Sequence, residues 1–368
     1  MRKLATIRKI SSISPIKGKD RVEMAAVDGW TCMVSKADNF KEGSLCVFCE
    51  PDSVFPQTEQ WGFLKKYNYR IKTQTFRDSD KNPVYSQGLA LPLDVLPKTL
   101  KVTEGLDVTD ILGITQYEPP TDKDSETVVK KGYKKVFERL PLMRYSWYRS
   151  LIKPKKSTAF PSFVNKTDEE RIQNCPEILD TETIWVATEK IDGQSGTFAV
   201  VRHRHLLWST YEFMVCSRNY RKPVPDNSSY WHVAKKYNIE QRLKRFMKKH
   251  PDLEWVAIQG ECIAPGVQGN KYHVRSAELL VFNLINSKKG RLPSYYASSV
   301  ISEELHLTFV PLLGFYSLQD KSVGDILAMS NGNSKLYDTL REGIVFRSED
   351  GKKSFKAVSP EFLIKYGE

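Results

Sequence analysis

The sequence contains no apolar run that approaches the roughly 20 residues needed to cross a bilayer, so we expect no membrane-spanning segment. Its six cysteines are scattered through 368 residues, which is typical of a reducing compartment and excludes a disulfide framework. We therefore expect an intracellular protein, of the cytoplasm or the nucleus. Cys46 and Cys49 have zinc-ligand spacing, but no second pair stands at that spacing, and their apolar surroundings favour a structural role.

Acidic residues are in deficit. The 44 Asp and Glu are outnumbered by 56 Lys and Arg, which gives a formal charge of +12. This excess suits a polyanionic partner such as nucleic acid, although a protein that is merely basic would show it too. The first 21 residues have no acid before Asp20 and faintly resemble a mitochondrial presequence. Their β-branched run continues into further strand-like sequence, and we therefore assign them to a folded domain.

Turn signals divide residues 1–120 into short strands at regular intervals, as at Asp28-Gly29 and Pro51-Asp52. This spacing predicts a small β-barrel, with an OB-type Greek key the favoured version. A basic linker is predicted at residues 121–159 and a second domain at 160–368. The second domain mixes strands with helices, so the predicted fold class is α+β.

The predicted linker is unusually rich in basic and aromatic residues. Residues 130–156 hold ten Lys or Arg and one acid, Glu138, interleaved with aromatics that include Tyr133 and Trp147. Such a segment can follow a phosphate backbone and stack on bases. An amphipathic helix whose aromatics pack on a neighbouring domain explains the pattern equally well.

In the second domain, residues 183–188 and 197–201 have strand patterns, and residues 231–250 have the pattern of one amphipathic helix. Leu243, Phe246 and Met247 lie at helical spacing and are predicted to be core residues. The basic residues of this helix are interpreted as a solvated face.

Between the two predicted strands stands Glu-Lys-Ile-Asp-Gly, residues 189–193. A lysine amine can attack the α-phosphate of a nucleoside triphosphate and hold the nucleotide as a phosphoramidate. Asp192 would project from the same face of an extended segment as Lys190 and could help to hold a metal ion. Gly193 lets the backbone turn closely around a ligand. By itself this pattern more often marks a surface turn.

Further chemically suitable residues follow in order. Arg218 could hold a ribose or phosphate, Phe282 lies in an apolar strand where it could stack on a purine, and Lys356 could neutralise phosphate charge. Glu261 and Glu342 are acids beside strand-like runs. Taken singly, these are ordinary core, turn and surface residues.

In this order the segments resemble the six-motif signature of the lysine-dependent nucleotidyltransferases, the ATP-dependent ligases and capping enzymes. The finer resemblance is to the fifth family of RNA ligases, which carries an OB domain in front of the nucleotidyltransferase domain. It extends over nearly the whole chain, through segments at residues 14–21, 29–30, 48–53, 86–89, 117–120, 160–163, 166–174 and 362–368.

The resemblance implies a nucleotidyltransferase domain built on an ATP-grasp-like antiparallel sheet. It also implies ligation of an RNA 3′-hydroxyl to a 5′-phosphate in three steps, through lysine–AMP and an adenylylated RNA end. The implied cofactors are ATP with Mg²⁺ or Mn²⁺. Expected partners are RNA ends or a nicked duplex with RNA on the 3′-hydroxyl side, with RNA repair as the purpose and a monomer as the working form.

The resemblance also assigns roles to residues. The expected catalytic residues are Lys190, Asp192, Glu261, Glu342 and Lys356; the expected metal-holding residues are Asp192, Glu261 and Glu342; the expected nucleotide contacts are Lys190, Gly193, Arg218, Phe282, Lys356 and Arg171. The N-terminal barrel could either grip RNA or close over ATP.

Three alternatives remain at this stage. DNA ligases use the same lysine chemistry but mostly carry the OB domain after the nucleotidyltransferase domain, and Lys356 lies too near the end of the sequence for that. A guanylyltransferase that caps mRNA is disfavoured for the same reason. A non-catalytic RNA-binding protein would have no physical need for Lys190, Glu261, Glu342 and Lys356 together.

Overall fold

The computed structural model describes residues 3–117, 159–222, 225 and 227–366. The predicted basic stretch at residues 130–156 lies outside them. The N-terminal part is built from nine strands, which are β1 Ala5–Pro15, β2 Val22–Val27, β3 Trp30–Ser35, β4 Leu45–Cys49, β5 Ser53–Val54, β6 Gln74–Arg77, β7 Pro83–Ser86, β8 Leu89–Leu91 and β9 Thr115–Gln116. Short 3₁₀ helices lie between them, at Lys36–Asp38, Glu59–Tyr67 and Leu93–Val95.

Five of these strands form an antiparallel sheet in the order β3-β2-β1-β4-β8. The sequence of β4 is continuously apolar because successive side chains point to opposite faces and both faces of this strand pack in a core. Val47 and Cys49 pack in one core cluster, while Cys46 and Phe48 pack in another. Both cysteines are fully buried and free, as the structural interpretation requires. The predicted OB-type barrel is confirmed, and β1 places the N-terminal residues inside it.

The second part contains ten strands, which are β10 Glu170–Arg171, β11 Ile184–Lys190, β12 Gln194–Arg204, β13 Ser209–Cys216, β14 Trp255–Ile263, β15 Glu278–Asn286, β16 Gly290–Arg291, β17 Leu312–Ser317, β18 Gly343–Ser348 and β19 Ser354–Val358. Its helices are α1 Ser229–Lys236, α2 Ile239–Lys249, α3 Ser294–Ser299, α4 Val323–Ser330 and α5 Pro360–Tyr366, and a π-helical turn at Val300–Glu304 extends α3. Further 3₁₀ turns lie at Ile172–Asn174, Pro176–Asp180 and Gln268–Asn270.

These strands form two five-stranded sheets. The first has the order β10-β19-β18-β11-β17 and the second β13-β12-β14-β15-β16. Neighbouring strands are antiparallel apart from the short parallel pair of β10 and β19. The largest core cluster joins the second sheet to α1 and α2. The α+β fold class, with a mainly antiparallel second domain, is confirmed.

The segment predicted as one helix at residues 231–250 is two helices. Asn238 separates α1 from α2 and has a left-handed backbone conformation with φ of 49°. Asparagine tolerates this conformation better than most residues, which explains why the helical pattern is interrupted there. The predicted core residues of α2 are correct, because Leu243, Phe246 and Met247 are buried. No helix in the described part of the chain is both long enough and apolar enough to span a membrane.

The barrel contacts the second domain beside the edge strand β10. The guanidinium of Arg8 donates to the carbonyl oxygen of Gln173 at 3.2 Å and to Oδ1 of Asn174 at 2.8 Å. From the second domain, the guanidinium of Arg171 lies 5.2 Å from the ring of Trp30 in the barrel. Cation–π contacts of this kind add to the hydrogen bonds across the junction. The barrel is therefore attached to the strand that borders β19.

Candidate active site

Lys190 is the last residue of β11, where two neighbouring elements fix its surroundings. Its backbone pairs with Gly343, the first residue of β18. This pairing brings the adjacent Glu342 beside the lysine, and Nζ of Lys190 lies 2.5 Å from Oε2 of Glu342. The side chains are only 24 % and 12 % exposed, so the ion pair is shielded from water. The structure thus joins two predicted site residues that are 152 positions apart.

Charges around Lys190 favour its protonated form. Burial lowers the pKa of the lysine, but the neighbouring carboxylates of Glu342, Glu261 and Asp192 outweigh it and raise that pKa above its ordinary value. A protonated amine has no lone pair with which to attack. The lysine therefore needs a change in the charge around it before it can act as a nucleophile.

Glu261 lies in β14 of the second sheet and has a carboxyl whose pKa is strongly raised. Burial, with the nearby charges of Glu342 and Asp192, raises the pKa of Glu261 to about 8, although Lys190 acts in the opposite direction. Burial is the largest cause of this shift, because a buried carboxylate loses the solvation that stabilises its charge. A cation beside Glu261 would favour its ionised form.

Asp192 and Gly193 form the crossing from β11 to β12. The amide of Asp192 donates to the hydroxyl of Tyr272 at 2.8 Å, and its Oδ2 lies 2.7 Å from Nζ of Lys271. At Gly193, a Cβ atom would stand 2.8 Å from the carbonyl oxygen of Cys262 and 2.9 Å from Cγ of Glu261. The glycine is thus needed for close packing of this turn on β14, and the approach of a ligand to its backbone stays a prediction.

The three acids predicted to hold metal converge on Lys190 without forming a ready-made set of ligands. Within the described residues, no group of three or more His, Cys, Asp or Glu side chains is placed to hold one ion. Glu342 is paired with Lys190 and Asp192 with Lys271. Their donor set, oxygen only, still suits a hard divalent ion that keeps its waters.

Two predicted phosphate-binding cations share one acid. Oδ1 of Asp168 lies 3.3 Å from Nζ of Lys356, and its Oδ2 lies 3.0 Å from the guanidinium of Arg218. Lys356 pairs with Val345 in β18, which pairs with Thr188 in β11. Cross-strand partners share a sheet face, and Thr188 shares its face with the residue two positions on, Lys190. The cations therefore gather on the face that carries the lysine.

Phe282, predicted to stack on a purine, is only partly buried and packs at the border of the main core. The guanidinium of Arg347 lies 5.9 Å from its ring. Arg347 is itself held by Glu169, whose Oε1 accepts at 3.1 Å. This arrangement leaves part of the aromatic ring accessible while fixing its orientation.

Arg171, predicted as a nucleotide contact, points towards Trp30 of the barrel, although its backbone pairs with Lys356. A role in nucleotide binding stays a prediction for this residue. The sequence interpretation missed the parts played by Lys271 and Tyr272. They follow an irregular turn at Gln268–Asn270, and no periodic pattern distinguishes them there. Asp168 had a usable signal, since it belongs to the segment 166–174 that carried the family resemblance.

Two protein-family models match parts of the chain. A model of an OB-fold domain matches residues 4–93, and a model of the RNA ligase family matches residues 183–366. No curated protein sequence gave a match.

Solved structures of one protein match the whole chain. A variant of the RNA ligase of Naegleria gruberi with AMP and manganese is 30% identical, with a TM-score of 0.75 over 99% of each chain. A variant of that ligase with ATP and manganese has the same identity, TM-score and coverage. The ligase with pyrophosphate is 29% identical, with a TM-score of 0.75 over 100% of this chain and 99% of the other.

Proposed function

This chain belongs to the RNA ligase family, and we propose that it uses ATP to join RNA 3′-hydroxyl and 5′-phosphate ends through a covalent lysine–AMP intermediate. The observation that carries the proposal is the setting of Lys190, a shielded lysine at a strand end beside Glu342. Support comes from the relative in Naegleria gruberi, whose structures contain ATP or AMP together with manganese.

The proposed first step forms a bond between Nζ of Lys190 and the α-phosphorus of ATP, while the bond to the β-phosphate oxygen breaks and pyrophosphate leaves. Before this step the ammonium must lose a proton, which its ion pair with Glu342 opposes. The cluster of Asp192, Glu261 and Glu342 would hold a hydrated Mg²⁺ or Mn²⁺ ion, whose positive charge neutralises carboxylates and phosphates alike. Relief of the ion pair then favours the neutral amine.

In the second step, an oxygen of the RNA 5′-phosphate attacks the AMP phosphorus, and the bond to Lys190 breaks. In the third, the 3′-hydroxyl attacks the activated 5′-phosphate, a phosphodiester forms and AMP leaves. Lys356 and Arg218 both pair with Asp168 and would neutralise charge as phosphate oxygens replace that carboxylate. Catalysis by such groups is mainly positioning and charge neutralisation.

We assign the chain to the fifth family of RNA ligases, because an OB-fold domain at residues 4–93 precedes the ligase domain at 183–366. The same order disfavours a DNA ligase and a capping enzyme. The proposed substrate is broken RNA or a nicked duplex with an RNA 3′-hydroxyl strand, repaired by a monomer in a reducing intracellular compartment. The barrel is attached beside β10, which pairs with β19, the strand of Lys356. This position favours a role of the barrel near the ATP phosphates over a role in binding RNA far from the site.

Incubation of the purified protein with α-labelled ATP, or with GTP in parallel, tests the proposal. We expect a covalent label from ATP alone that requires a divalent ion and survives a denaturing gel. Addition of nicked RNA should discharge the label and yield sealed product. A label from GTP would point to capping chemistry, and no label from either nucleotide in folded protein would favour the non-catalytic RNA-binding alternative.

Replacing Phe282 with alanine should chiefly weaken nucleotide binding. Loss of one stacking ring costs on the order of 1–3 kcal/mol, so we expect KM for ATP to rise about tenfold while the maximal rate of labelling changes little. Phe282→Tyr keeps the ring and is the matched control. An unchanged KM in the alanine variant would show that the purine lies elsewhere.

A further inference from the structure

Three large aromatic side chains are exposed on the second domain, and two of them have neighbouring rings. Tyr295 is 65 % exposed, Tyr296 53 % and Phe315 54 %. The rings of Tyr295 and Phe315 lie 6.0 Å apart, and Nζ of Lys289 lies 6.0 Å from the ring of Tyr296. We call Tyr295 and Phe315 the aromatic patch. Clustered exposed apolar side chains usually mark a binding surface, because exposure forgoes the favourable free energy of their burial.

Strand pairing places this patch on the face of the first sheet that carries Lys190. Phe315 in β17 is the cross-strand partner of Val186 in β11. Side chains two positions apart in a strand share a face, so Val186, Thr188 and Lys190 all point the same way, and Phe315 points with them. Four residues of strand correspond to about 13 Å. The patch therefore lies within a few nucleotide lengths of the lysine nucleophile.

The surroundings of the patch suit a nucleic acid with unpaired bases. Tyr295 lines an open cleft of about 470 Å³, together with Pro311, Leu312 and Glu303. That volume admits a nucleobase. Lys288 and Lys289 are exposed, and Lys289 lies at the ring of Tyr296, next in sequence to Tyr295, where a phosphate backbone could run. The carboxylate of Glu303 would repel a phosphate but can accept hydrogen bonds from a base amino group.

We propose that the aromatic patch is a stacking platform for unpaired bases of the RNA substrate, a few nucleotides from the phosphate that is joined. The inference rests on the proposed function, because that function supplies RNA as the occupant. Aromatic rings bind every base through its flat face, so the platform gives affinity with little sequence preference. The neighbouring lysines supply the separate, salt-dependent part of the affinity.

The test is a double variant, Tyr295→Ala with Phe315→Ala, titrated against fluorescent RNA with a single-stranded arm beside a nick. We expect Kd to rise at least about tenfold, because the variant loses two rings on which bases would stack. The slope of log Kd against log salt should stay unchanged, because no cation is removed. Tyr295→Phe with Phe315→Tyr keeps both rings and should bind as wild type does.

A matched control is Trp208→Ala. Trp208 is 62 % exposed but lies in the turn after β12, at the end of that strand remote from the lysine, and its loss should leave RNA affinity unchanged. Labelling with ATP is measured on the same preparations. If wild-type protein takes no label, the proposed function fails. If wild-type protein takes label but the folded double variant keeps wild-type RNA affinity, only the stacking platform fails. The patch would then belong to another partner, such as a protein strand that pairs with the edge of β17.

Discussion

Replacement of Lys190 by alanine should reduce labelling by α-labelled ATP below detection, a loss of at least about three orders of magnitude. Among the described residues, the nearby Lys271 is paired with Asp192 at 2.7 Å, and we expect it not to replace Lys190 as the nucleophile. The measurement is a single-turnover labelling assay on a denaturing gel, with folding checked by thermal unfolding.

A second substrate distinguishes loss of the nucleophile from a general loss of ligase activity. RNA that already carries AMP on its 5′-phosphate does not need the lysine nucleophile, so Lys190→Ala should still seal it. Lys249→Ala, which changes an exposed lysine of α2, serves as control and should label as wild type does. Normal labelling of Lys190→Ala would refute the assignment of the nucleophile, and loss of sealing on the pre-adenylylated RNA would show that Lys190 also positions the later steps.

Glu342→Gln should slow formation of lysine–AMP by at least about 100-fold. The change keeps the shape of the side chain but removes the negative charge 2.5 Å from the lysine. Two effects oppose each other. The lysine becomes easier to deprotonate, but the acidic cluster loses a charge for holding a divalent ion, and we expect the second effect to dominate because the metal acts on the phosphates directly.

The two effects separate in a titration with Mn²⁺. If Glu342 helps to hold the ion, the variant should need at least about tenfold more Mn²⁺ to reach its half-maximal labelling rate. Glu240→Gln removes an exposed carboxylate on α2 that pairs with Lys244, and should change neither quantity. A variant of Glu342 that labels at the wild-type rate with the wild-type Mn²⁺ requirement would contradict the role in metal binding.

The elements of this fold were largely predictable because their signals are local. Alternation and turn residues predicted the barrel, and the strands around Lys190 were predicted within a few residues of β11 and β12. The break between α1 and α2 was missed because apolar spacing continues through Asn238, and only its backbone conformation separates the helices.

Contacts within the site were less predictable, because they join segments far apart in sequence. The pairing of Lys190 with Glu342 depends on the register of β11 against β18, which no local pattern specifies. The sequence predicted that Gly193 contacts the nucleotide, but its close packing on β14 became visible only in the structure. Arg171 belonged to a segment of the family resemblance, yet its side chain contacts the barrel.

Lys190 and Glu261, the acid with the raised pKa, belong to different sheets, and Ile191, Asp192 and Gly193 link β11 of the first sheet to β12 of the second. Each of the three is held: Ile191 is buried in the main core, Asp192 is bonded to Tyr272, and Gly193 is pressed against β14. Lys190 and Glu261 consequently lie at the junction of the two sheets, which the contacts of these three residues hold in place. Under the proposed function, the reacting groups are positioned before the nucleotide binds, which lowers the entropy cost of bringing them together.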